Sequence, residues 1–160
     1  MTEEAPQLFL EDFSRGQIFQ GCPREITGAD IASFAALTGD SHPIHYDEEY
    51  ARSTRFGRPI VHGLHLMALT ALGAASLSEQ LKRSMVALIE QQASFQKPVF
   101  KGDTLRPQFE VEGTEHQPGR PWGKLYLKVR LLNQRDEIVL EGGHTYAIHC
   151  RSSTAANRDA

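Results

Sequence analysis

The second half of the chain alternates between apolar and polar positions. In "LYLKVRLLN", Leu125, Leu127, Val129 and Leu131 occupy every second place, with Tyr126, Lys128 and Arg130 between them. That is the period of a strand with one buried face. Three neighbouring runs, "MVALIEQQASFQKPV", "DTLRPQFEVEGTEH" and "IVLEGGHTYAIH", are similarly rich in Val, Leu, Phe and Tyr. With "NQRDE" as a hairpin turn and "EHQPGRPWGK" as a longer one, four long antiparallel strands are predicted. The first half keeps a different period. "GQIFQG" and "CPREIT" predict two short strands, and "ADIASFAALTG" predicts a helix. Ile31, Phe34, Ala35 and Leu37 are assigned to its inner face, and Gly39 stands at its C-terminal stop. "DEEYARS" predicts one or two helical turns with acids at the positive end. "RFGRPIVHG" predicts an ordered, irregular loop.

From Gly63 to Lys82 the spacing of Leu64, Ala68, Ala71, Leu72, Ala75 and Leu81 predicts one long helix. Its many small residues allow other backbone to come close, as around a helix enclosed by a sheet. Short strands, a helical insert, a long helix and four long strands together predict an α+β architecture. In it an antiparallel sheet wraps a central helix, each strand's apolar face meeting that helix.

Composition narrows the function classes without naming one. The 160 residues, 40% hydrophobic and 23% charged, predict a single domain over residues 1–150 with a small, polar, fraying tail at 151–160. A net charge of -3 argues against nucleic acid as a partner. The start "MTEEAPQLFLEDF" lacks the basic opening and apolar run of a signal peptide. The longest apolar run, 64–75, is interrupted by His65 and Thr70, so no membrane span is predicted. Cys22 and Cys150 have no metal-type spacing and are too few for a disulfide scaffold, which points to the cytoplasm.

The chemistry concentrates in "TGDSHPIHYDEEYA", residues 38–51. Asp40, His42, His45 and Asp47 there suit a solvated loop, a metal site or an acid–base pair. Pro43 stiffens the stretch and Ile44 turns it inward. A metal site would need three or four converging ligands, with His62 or His65 in reserve, but the spacing matches no helix-borne zinc pattern. An acid–base pair needs only a carboxylate and an imidazole facing one water, and Asp40 and His45 on either side of a rigid turn meet that need. His62 reads as a loop-ordering hydrogen bonder and His65 as a polar spot on an apolar helix. His144 and His149 read as strand-face residues, Gly102 and Asp103 as a turn. Phe9, Phe13, Phe19 and Phe34 read as packing residues.

The run "LTGDSHPIHYDEEYARSTRFGRPIVHG" resembles the hydratase motif of the MaoC-like, (R)-specific enoyl-CoA hydratase family. The likeness lies in Gly39, Asp40, Pro43, Ile44, His45 and Asp47, followed by His62 and Gly63. "FQKPVFKGDTL" is similar to a second run of that family, and the resemblance spans about 13–149. It implies the hot-dog fold with the motif as a helical insert. The implied activity is the reversible hydration of trans-2-enoyl-CoA to (3R)-3-hydroxyacyl-CoA. It further implies Asp40 and His45 as the catalytic pair and the Gly63 amide as the donor to the thioester oxygen. No metal and no cofactor are implied beyond coenzyme A as part of the substrate, and the implied assembly is a homodimer or a higher oligomer. Two departures stand out. His42 replaces the family's usual Asn, and Ala71 stands where some members carry Ser. The alternatives are a hot-dog acyl-CoA thioesterase and a non-catalytic acyl-thioester-binding subunit. A thioesterase usually has an acid near the start of the long helix, and here no carboxylate follows Gly63 until Glu79.

Overall fold

The structure is a computed structural model that describes residues 5–151; the expected tail, apart from Arg151, lies outside the described residues. Six strands form one antiparallel sheet in the order β1-β4-β5-β6-β3, with β2 pairing β4 beside β1. The short strands are β1, Ile18–Gln20, and β2, Arg24–Glu25. The long ones are β3, Met85–Phe95; β4, Thr104–His116; β5, Trp122–Leu132; and β6, Ile138–His149. The alternation in β5 holds as predicted: Leu125, Leu127, Val129 and Leu131 are all buried. On the opposite face Arg130 bonds to Glu110 and Glu141, each at 2.9 Å, tying three strands together.

Helix α1, Gly28–Thr38, begins with a capping box. The Thr27 hydroxyl accepts from the Asp30 N–H, and the Asp30 carboxylate accepts from the Thr27 N–H. These bonds, with Arg24 alongside, hold the Asp30 carboxyl down at about 2. Gly39 ends the helix at φ +74°, the left-handed region where glycine carries no side-chain penalty. One assignment on this helix is corrected. Ile31 is buried, but Leu37 is 83% exposed. Six residues at 100° each place Leu37 about 120° round from Ile31, off the inner face.

The predicted long helix is also corrected. The segment from Gly63 to Lys82 is broken into α3, Gly63–Ala68, a 3₁₀ turn, Leu72–Ala74, and α4, Leu77–Gln80. Ala71 leaves the helical region at ψ 144°, and Ala75 takes extended backbone. The Thr70 hydroxyl donates to the Met67 carbonyl at 2.6 Å, an alternative to the helical ladder at the point of the break. Ala75 then pairs with Gly21, so the sheet captures backbone that the apolar spacing assigned to the helix. The sheet still encloses this segment: Leu66, Leu72, Leu77 and Leu81 are buried against Leu105, Phe109, Leu127 and Leu140 in two clusters. "DEEYARS" forms α2, Glu48–Arg52, capped by the Asp47 carboxylate, which accepts from the Tyr50 N–H at 3.0 Å.

β3 has only β6 as a neighbour, so its other edge is free among the described residues. It carries exposed Val86, Leu88, Ile89 and Phe95.

Candidate active site

The motif loop leaves α1 at Gly39 and is shaped by its own side chains. The Asp40 N–H donates to the Thr38 hydroxyl at 3.3 Å, and the Asp40 carboxylate accepts from the His42 N–H at 3.2 Å. His42 Nδ1 accepts from the Ile44 N–H at 3.2 Å, so the imidazole caps the 3₁₀ turn Pro43–His45. A short side chain with an acceptor at that position, such as Asn, would make the same bond. His42 thus has a loop-ordering part, and Asp47 has one as the α2 cap. Neither joins the chemistry that Asp40 and His45 make possible.

That turn aims His45 back across the loop. Its Nδ1 lies 2.7 Å from the Ile60 carbonyl oxygen. A carbonyl can only accept, so Nδ1 carries a proton, and in the neutral ring the lone pair is on Nε2. The Ile60 N–H in turn donates to the Ile44 carbonyl, locking the two loop segments together. A half-buried imidazole with a fixed tautomer and a free basic nitrogen is equipped to take a proton.

Behind it stands His62, 2% exposed, with its ring stacked on that of His45 at a centroid distance of 3.9 Å. The Tyr46 hydroxyl donates to the Asp40 carbonyl oxygen at 2.9 Å, so its own oxygen is left to accept from His62 Nε2 at 2.7 Å. Burial first, and then the neighbouring His45, lower the His62 pKa and favour the neutral ring. One donor atom each from Asp40, His45 and His62 lies within 4.8 Å of the others. The set has metal-ligand character by type, but the two imidazoles are stacked 27° from parallel. Stacked rings direct their lone pairs side by side rather than toward one ion, which suits a proton relay better than a coordination sphere.

Tyr46 was missed in the sequence because it carries no charge and sits between the two more conspicuous residues His45 and Asp47. The signal was its position in the turn, one residue from the candidate base. His65 is buried and stacks on Phe34 at 5.0 Å and 6°. The Gly102–Asp103 turn is present, with Gly102 at φ +91° and the Asp103 carboxylate accepting from the Phe100 N–H.

Gly63 opens α3 directly after His62. Its N–H, like other first-turn amides, has no helical partner. A Cβ on Gly63 would stand 2.9 Å from the Phe95 ring, so glycine here lets β3 pack against the start of α3. The structure therefore brings Asp40, His45 and His62 together and begins α3 immediately beside them.

A family model for the MaoC like domain matches residues 15–124. The chain belongs to the MaoC-like family. Among similar proteins, the (R)-specific enoyl-CoA hydratase of Aeromonas caviae is 42% identical over 114 residues, covering 71% of this chain and 80% of that protein. The 3-hydroxybutyryl-CoA dehydratase of Methylorubrum extorquens is 34% identical over 142 residues, 89% of this chain and 85% of that one. A monoamine oxidase regulatory protein from Archaeoglobus fulgius superposes with a TM-score of 0.84 at 31% identity, over 91% of this chain and 97% of that chain. The expected hot-dog fold is borne out by this likeness to MaoC-like structures and by the antiparallel sheet around the broken helix.

Proposed function

We propose that this MaoC-like protein is a hydro-lyase on acyl thioesters, hydrating trans-2-enoyl-CoA to (3R)-3-hydroxyacyl-CoA and running the reverse dehydration. Asp40 and His45 are the catalytic pair. The observation that carries this is the Nδ1 bond of His45 to the Ile60 carbonyl, which leaves Nε2 as the acceptor of a ring that has a nitrogen within 4.8 Å of an Asp40 carboxylate oxygen. A water held between them donates one hydrogen bond to each. Its oxygen adds to C3 of the enoyl group while the pair takes its proton. Charge moves onto the thioester oxygen, and the pair then delivers a proton to C2. The Gly63 N–H is the donor assigned to the thioester oxygen, where the charge forms.

The relatives support this reading by their names and their identity to this chain. It is favoured over thioester hydrolysis by the segment that α3 opens, which has no carboxylate from Gly63 until Glu79 in α4. It is favoured over a purely binding role by the fixed His45 tautomer, which binding alone does not require. One assay separates the three. With a 2-enoyl-CoA, loss of enoyl absorbance without thiol release is the expected result. Thiol release would mark a thioesterase, and no change in either would leave only a binding protein.

We further propose a homodimer joined along β3. An unpaired edge bearing Val86, Leu88, Ile89 and Phe95 is the kind of edge that pairs with another chain. Because Phe95 also packs on Gly63, such a seam would lie beside the α3 end of the site.

A further inference from the structure

A cavity of about 330 Å³ opens between α3 and the inner faces of β3 and β6. Its walls are mostly apolar, including Met67, Ala71, Leu72 and Leu88. Its wall also includes Gln91, His144 and Tyr146, and Thr70 bonds to this group from behind. His144, Thr70 and Tyr146 are each at least nine-tenths buried.

The protons of this cluster can be followed. Thr70 gives its hydroxyl proton to the Met67 carbonyl at 2.6 Å, so its oxygen accepts from the Gln91 amide at 3.1 Å. The Gln91 amide also donates to His144 Nε2 at 3.0 Å. Nε2 is therefore the lone-pair nitrogen, and Nδ1 carries the proton. Nδ1 donates to the Tyr146 oxygen at 3.1 Å. The chain ends there: among the described residues, the Tyr146 hydroxyl proton has no acceptor. A buried donor left over at a cavity wall is costly unless something in the cavity accepts from it.

The cavity lies further along α3 and β3 than Gly63 and Phe95. The Phe95 ring packs against Gly63, and four residues earlier on the same face of β3 the Gln91 amide reaches the Met67 carbonyl at 3.3 Å. Four strand residues span about 13 Å and four helix residues about 6 Å. A thioester held at Gly63 would send the far part of its acyl chain toward this cavity.

We propose that Tyr146 recognises a hydroxyl or carbonyl oxygen on the distal part of the acyl chain. The preferred substrate is then a polar-tailed acyl thioester rather than a plain hydrocarbon one. This rests on the acyl-thioester reading of the site. Burial pushes the His144 pKa down to about 4 and the Tyr146 pKa up to about 12, so both are neutral at ordinary pH. A distal carboxylate would enter without a countercharge, which selects against acidic tails.

The test is calorimetric binding of saturated six-, eight- and ten-carbon acyl-CoAs, each with and without a terminal hydroxyl. Saturated chains cannot be hydrated, so binding is read apart from chemistry. The expected result is three- to tenfold tighter binding of the hydroxylated chain at one or more lengths, the scale of one net hydrogen bond. Tyr146→Phe, which keeps the ring, should abolish that preference. Equal or weaker binding of the hydroxylated chains at all three lengths by the wild-type protein overturns the proposal, as does a preference that survives in Tyr146→Phe. Hydration of crotonyl-CoA by the wild-type protein is measured alongside. Its absence would count against the hydratase reading alone, since the binding preference stands or falls without turnover.

Discussion

At the scale of single residues, the site divides into groups that face the water and groups that hold them there. His45 needs the Ile60 carbonyl to present Nε2, and Asp40 needs Tyr46 and His62 to fix its backbone. Asp40→Asn and His45→Gln should each lower kcat by about 10²–10⁴-fold without lowering the melting temperature. The double variant should lose little more than either alone, because both act on one water. Near wild-type turnover of Asp40→Asn on a verified substrate would refute the assignment. Chelator treatment should leave activity intact, since stacked imidazoles do not converge on an ion; activity lost with chelator and restored by a divalent cation would reinstate the metal. His144 gives a pH prediction. Its pKa falls from 6.5 to about 4 through burial, so between those values the unfolded chain binds more protons than the folded one. Stability is then fully present above about 6.5 and declines as pH falls toward 4, by up to roughly 3 kcal/mol from this group. Denaturant titrations at pH 7 and pH 4.5 should show that decline, and it should shrink in His144→Gln.

At the scale of elements, position around an axis decides what each apolar residue is worth. Leu127 points into the core from β5 and is buried, whereas Leu37 extends from α1 into solvent. Leu127→Ala should cost about 2–5 kcal/mol through lost burial and the cavity left behind. Leu37→Ala should change stability by about 0.5 kcal/mol or less. Urea unfolding of the two variants measures both, and a large loss at Leu37 would mean that α1 buries a face the structure leaves exposed. The broken helix follows the same logic. Thr70 and the run of small residues after it leave few side-chain contacts to hold a continuous ladder, and pairing of Ala75 with Gly21 completes the break.

At the scale of the molecule, the open demand is the edge of β3, which is unpaired among the described residues. Val86, Leu88 and Ile89 are each between 43% and 50% exposed along it. Sedimentation at low micromolar concentration should show a dimer. A Leu88→Lys, Ile89→Lys double variant should shift it toward monomer by placing like charges across the seam. If the dimer holds the site together, activity should fall as the protein dissociates on dilution. A fully active wild-type monomer would remove assembly from the mechanism.

The strands β4, β5 and β6 were legible in the sequence because period-two alternation is a local consequence of a sheet with one buried face. The end of α1 was legible too, since Gly39 stops the helix through its own backbone angle; the Thr27–Asp30 capping box at its start emerged only in the structure. Asp40, His45 and Gly63 were singled out by the resemblance of their stretch to the MaoC-like motif, and their catalytic roles are proposals. The break within 63–82 was not legible, because small residues satisfy helical spacing and give no sign that Gly21, just past β1, would capture the backbone of Ala75. Nor was the partnership of Tyr46, His62 and the Ile60 carbonyl, whose distances depend on two loops meeting. Local periodicity and capping chemistry determine the elements. The tautomer of His45, the neutral state of His144 and the Tyr146 hydroxyl proton, left without an acceptor among the described residues, exist only once distant segments bury one another, because burial and hydrogen-bond partners are properties of the packed chain.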